Sequence, residues 1–285
     1  RQELDALERG DPERRAWERV LAAVELLNQD ELLGAALEWG GLVEDLGHLN
    51  GALEIHSLAY ELAVAAGSAE AAIDAARFQG RVLRKLARWD EAARWYEVAR
   101  RVAEASGNNR KLATVLDGLG NTLRDRGNLP KARETLGQVM QLGLETNDRY
   151  AQAIAHHDLM TVEKLAGDLD EAVLHGWEAV QAYDSEEGRL RALFDLAGVL
   201  RESGELSAAW DAYSVVAGQV AGSEYHVLAL DAMAYISALR GEEGRYNLLR
   251  ERLEAEEWED RTAPVYLAQM YYFRGMSSRA LGNDN

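Results

Sequence analysis

Arg77, Arg81 and Arg84 are spaced i, i+4 and i+7, and Lys85 adjoins the last of them. On a helix that spacing puts three guanidinium groups on one face. Their chemistry is anion recognition, because each planar fork can hold a carboxylate through two parallel hydrogen bonds. Arg124, Lys164 and Arg201 continue the series at intervals of 40, 40 and 37 residues from Arg84. A cationic series is unexpected here, since 49 acids outnumber 31 bases and the formal charge is -18.

A second constellation lies in "HHDLMTVEK" (156–164), with His156, His157 and Glu163, and His175 further on. Helical metal pairs want i and i+3 or i+4, whereas adjacent histidines diverge by about 100°. The expectation is therefore no metal, with His157 a groove residue and His156 a packing residue. No cysteine is present, which removes disulfides, thiolate metal sites and a Cys nucleophile and fits a reducing cytoplasm. The glycines of "GLGN" and Gly40–Gly41 fall inside helical patterns, not after a strand, so no phosphate loop is read. No catalytic residue and no cofactor is assigned, and the chain is read as non-enzymatic. The acidic surface argues against nucleic acid and anionic membranes as direct partners. No apolar run reaches the roughly 20 residues of a membrane span.

What positions the cations is a repeated interruption. "LGNTLRDRGNLPKARETL" (119–136) is helical at both ends and carries Gly127, Asn128 and Pro130 between. With Gly127 as a mark, similar turns fall at Gly47, Ala87, Gly167, Gly204, Gly244 and Gly282. Gly permits the left-handed conformation that ends a helix. Three residues after each mark stand Asn50, Asp90, Pro130, Asp170, Ser207 and Asn247, read as caps of the next helix. Five after stand Ala52, Ala92, Ala132, Ala172 and Ala209, with Leu249 the departure. A small residue there allows two helix axes to cross closely. First helices are expected at 31–46, 70–86, 109–126, 148–165, 187–203, 224–240 and 263–281. Second helices are expected at 50–66, 90–105, 130–146, 170–184, 207–221 and 245–256. Asp11-Pro12 opens a further helix to about Leu27. The tryptophans, Trp39 and Trp177 among them, are read as core.

"WDEAARWYEVA" (89–99), with Ala92, Tyr96 and Ala99, together with "LGNTLRDRG" (119–127), resembles the tetratricopeptide repeat (TPR) in its long, roughly 40-residue form. The resemblance covers residues 31 to 282. It implies an all-α, right-handed α-solenoid of stacked antiparallel helix pairs, a single array over 1–285. Residues 1–30 would be a partial repeat, and 263–285 an unpaired or truncated last helix. Arg1 in place of Met suggests a piece of a longer protein, and truncated ends would allow self-association.

The resemblance also implies that first helices line a concave groove. Positions ten, six and three before each mark would face it, including Arg77, Arg81, Arg84, Asp117, Asn121, Arg124, His157, Lys164, Phe194, Arg201 and Tyr272. Asn121 sits where peptide-binding relatives carry an Asn, and Phe194, Tyr235, Tyr272 and Phe273 would make the far wall aromatic. An acidic segment with an apolar anchor would suit such a surface. The alternative is structural: a cation in the last helical turn is stabilised by the helix dipole alone, by about 0.3–1 kcal/mol. Arg77 and Arg81 lie too early for that, and could instead pair with Asp74 or Asp117. The functional expectation is a cytoplasmic protein–protein interaction scaffold. The alternative is the regulatory part of a larger signalling or transcription protein that closes on a small effector or signal peptide.

Overall fold

The structure, a computed structural model, describes residue 18 and residues 29–219, 224–255 and 264–282. The helix expected from Asp11 to about Leu27 falls outside these but for Glu18. Gly127 has a φ of +86°, in the left-handed region. Its amide donates to the Arg124 carbonyl, and the Asn128 amide donates to the Leu123 carbonyl. These bonds close one helix. The Asn128 side chain then accepts the Lys131 amide and opens the next. Gly47, Ala87, Gly167, Gly204 and Gly282 take the same positive φ.

Thirteen helices result among the described residues, with no strand. They are α1 (Gln29–Asp45), α2 (Leu49–Ala65), α3 (Ala69–Lys85), α4 (Trp89–Ser106), α5 (Asn109–Asp125) and α6 (Leu129–Glu145). Then come α7 (Arg149–Ala166), α8 (Leu169–Ala182), α9 (Glu186–Glu202), α10 (Leu206–Gln219), α11 (Glu224–Leu239), α12 (Glu243–Ala255) and α13 (Pro264–Ala280). The chain divides into two compact units, residues 1–155 and 156–285.

Within each unit the architecture is a stack of antiparallel helix pairs. In the first unit α1 packs on α2, α3 on α4 and α5 on α6. First helices also meet across pairs, α3 against α5, while α4 and α6 make no extended contact. The first helices are therefore the inner layer of that unit and the second helices splay apart. The second unit repeats the scheme, with α9 against α11 and α11 against α13.

The alanine column explains the close crossing. Ala52, Ala92 and Ala132 in the first unit, and Ala172 and Ala209 in the second, have no exposed surface. Four residues further on in α4, Tyr96 wedges between pairs. A Cβ on Gly80 would come 2.7 Å from its ring. Gly118 faces the other side of the same ring just as closely. Tyr96 thus joins α3, α4 and α5 in one core with Ile73, Ala76, Val115 and Leu119.

Three expectations are corrected. The caps fall one residue after the mark, as at Asn128 and Asp168, not three. The turn needs only two residues, so Asp90 and Asp170 lie inside the first helical turn, where they meet the positive end of the dipole. The sixth turn is at Gly241, φ +68°, not at Gly244. There the second helix begins at Glu243, two residues earlier than expected, while Leu249 and Leu253 still supply its buried face. Trp177 is 52% exposed and is no core residue, because Ala172, Gly176 and Ala179 form the buried stripe of α8.

Candidate functional site

Four of the expected cations belong to α3. Arg81 donates to Glu44 Oε2 at 2.6 Å, and the Lys85 ammonium lies 2.9 Å from Glu44 Oε1. Glu44 occupies the same position on α1 that Arg84 holds on α3, and it is buried. Burial alone would push its carboxyl up. The nearby His56 ring, Arg81 and Lys85 outweigh that and hold it at about 2. Arg81 and Lys85 therefore neutralise an internal carboxylate.

Arg84 donates to Asp125 Oδ2 at 2.8 Å, and Arg124 donates to Asp125 Oδ1, also at 2.8 Å. One carboxylate is clamped between cations of successive repeats. The second unit has the same device: Glu202 Oε1 lies 2.8 Å from Lys164 and 3.4 Å from Arg201. Neither Asp125 nor Glu202 belongs to a column that the motif pointed to. Their signal was the acid directly after Arg124 and after Arg201.

Arg77 differs from the rest. Its nearest carboxylate oxygen, Asp74 Oδ1, is 3.8 Å away, beyond hydrogen-bond reach. Lys111 takes the other oxygen of Asp74 at 2.5 Å. The Arg77 guanidinium stacks on Phe78 at 4.4 Å, and Arg81 lies over the same ring at 4.7 Å. The Arg77 Nε is buried without an acceptor, as are those of Arg81, Arg84 and Arg201, but those three donate through their terminal nitrogens and Arg77 does not. Burial, opposed by Asp74 and reinforced by Arg81, lowers its affinity for its proton. Arg77 remains charged, because an arginine pKa lies far above neutral pH.

Asn121 is buried on α5 and donates to the Asp117 carbonyl of its own helix at 3.2 Å. In the second unit, His157 bonds Asp195 at 2.8 Å and approaches the Tyr183 hydroxyl at 3.3 Å. Phe194 is 5% exposed and packs edge-on against Tyr213 and Tyr225. It is a packing residue. Tyr235 and Phe273 are buried too, with Arg201 over both rings at 5.4 and 5.5 Å. Of the aromatic wall, Tyr272 alone is largely exposed. The second unit therefore offers less apolar inner surface than its sequence implies.

His156 and His175 do converge, Nδ1 to Nδ1 at 3.0 Å. Burial, with His175 adding to it, lowers the His156 pKa. Among the described residues no group of three or more His, Asp or Glu side chains is arranged to hold a metal. Among them, too, no helix is long and apolar enough to cross a membrane.

The fold is that of TPR-like helical repeat proteins. It is similar to a Rap protein solved with competence and sporulation factor, at 14% identity and TM-score 0.63, over 99% of this chain and 84% of that one. It is similar to the Rap conjugation gene regulator of plasmid pLS20 solved with the Phr* peptide, at 17% identity and TM-score 0.59, over 90% and 79%. It is also similar to a candidate kinesin light chain of Podospora anserina with nearly identical TPR-like repeats, at 16% identity and TM-score 0.57, over 67% and 97%. No family model and no curated protein matches the chain.

Proposed function

We propose that this chain is a non-enzymatic interaction scaffold whose first unit binds an extended, acidic segment of a partner protein along the inner face of α3 and α5. The observation that carries the reading is Arg77. It is a largely buried cation whose fork donates no hydrogen bond among the described residues, beside a carboxylate, Asp74, that Lys111 already holds. A partner carboxylate would supply the missing acceptors, and a charge-assisted pair in partly dry surroundings is stronger than one in water. Arg84 and Arg124 share Asp125 and could rearrange toward a second carboxylate.

Likeness to a Rap regulator solved with the Phr* peptide supports a peptide as the class of ligand. The second reading, a regulatory domain that closes on a signal peptide, draws on the same likeness to a gene regulator. Titration with fluorescein-labelled penta-glutamate tests the proposal. Arg77→Met should weaken binding by about tenfold. Asp125→Asn should strengthen it by releasing Arg84 and Arg124. Equal affinity for wild type and Arg77→Met, with unaltered helical circular dichroism, sinks the reading.

A further inference from the structure

The splay of the second helices leaves a cleft on the opposite side of the first unit. Because α4 and α6 make no extended contact, a space of about 720 Å³ opens between them. Leu116 and Leu119 of α5, both buried, and the half-buried Leu123 form its floor. Its rim is cationic: Arg94, Arg100, Arg101, Arg126 and Lys131 line it, against the carboxylates of Asp90, Glu97 and Glu134.

These charges are unevenly matched. Arg100 donates to Glu97 at 2.8 Å, and Arg126 lies 2.8 Å from Asp90. Arg94 and Lys131 make no ion pair among the described residues, and Arg101 donates only to the Glu97 carbonyl. All three are exposed. A chain of net charge -18 thus lines this cleft with five cations against three carboxylates, around a strip of leucine. The helix dipole does not account for it, since Arg94 and Lys131 lie in the first half of their helices.

The geometry points to a second docking site, in the α4–α6 cleft, for a short acidic peptide segment of a partner with a central apolar anchor. Charge complementarity selects the occupant. Carboxylates would meet Arg94, Arg101 and Lys131, and an apolar side chain would cover the half-buried Leu123 and Val98. The lining of α4 runs from Asp90 to Arg101, about 17 Å at 1.5 Å per residue. That length takes about five residues of extended chain. A nucleic acid strand would find the charge but not the stacking platform, because no aromatic side chain lines the cleft.

The site is independent of Arg77, and the test uses that. Fluorescein-labelled acetyl-Glu-Asp-Leu-Leu-Asp-Glu-amide is titrated into the Arg77→Met chain. Saturable binding is expected, weakening with added salt. Arg94→Glu with Lys131→Glu should lower the affinity by about tenfold, and the Gln pair should lower it less. Circular dichroism checks that each variant is folded. No saturation up to about 1 mM, affinity unchanged in the Glu pair, or oligothymidylate binding in place of the peptide would each overturn the proposal.

Discussion

Arg81 reaches back 37 residues to Glu44 and closes on Oε2 at 2.6 Å. The two residues lie on successive first helices, α1 and α3. Their pairing turns a cationic column into an internal neutralisation device. The same logic governs Arg84 with Asp125 and Lys164 with Glu202. Repeats in each unit are thus joined by charge as well as by apolar packing.

Glu44→Gln should destabilise the first unit by about 3 kcal/mol at pH 7, given a carboxyl held near 2 against an ordinary 4.5. The sign follows from the depressed value. The carboxylate stabilises the fold above pH 4.5, and that contribution is lost as pH falls toward 2. Urea unfolding of wild type and variant at pH 7 and pH 3 measures it: the gap between them should narrow in acid.

Asp231 should behave in the opposite sense. It is buried between Arg250 at 2.9 Å and Arg274 at 4.0 Å, with Oδ2 lacking a hydrogen bond. Burial lifts its carboxyl from 3.8 to about 6, although both arginines pull it down. Its protonated form is favoured in the folded state. It therefore contributes stability below pH 3.8 that is lost as pH rises to about 6. Asp231→Asn should flatten that part of the stability–pH curve. A wild-type slope between pH 4 and 6 that survives the substitution contradicts the assignment.

Gly118→Ala should cost about 1–2 kcal/mol, even though alanine favours helix by up to about 1 kcal/mol. The new methyl meets the Tyr96 ring, and Gly80 on the far side leaves the ring nowhere to retreat. Gly137→Ala is the control. Nothing lies within 4 Å of its Cβ position, so it should gain stability. Thermal unfolding of both variants decides it.

The helix pairs were legible because each rests on local rules. A left-handed Gly127, a cap at Asn128 and an alanine at Ala132 are set by chemistry within a few residues, and repetition multiplies the signal. Gly244 misled for a related reason. The side-chain register of Leu249 and Leu253 follows it, while the backbone turns three residues earlier at Gly241.

The linear order of residues determined the fold class, the helix boundaries to within a few residues and the columns in which the cations stand. Tertiary packing alone decided which cations are already matched. Glu44, Asp125 and Glu202 meet Arg81, Arg84 and Lys164 only when separate repeats stack, across 37 to 41 residues of chain. Charge satisfaction depends on distances of a few ångströms between side chains remote in sequence, and helical periodicity carries no information about them.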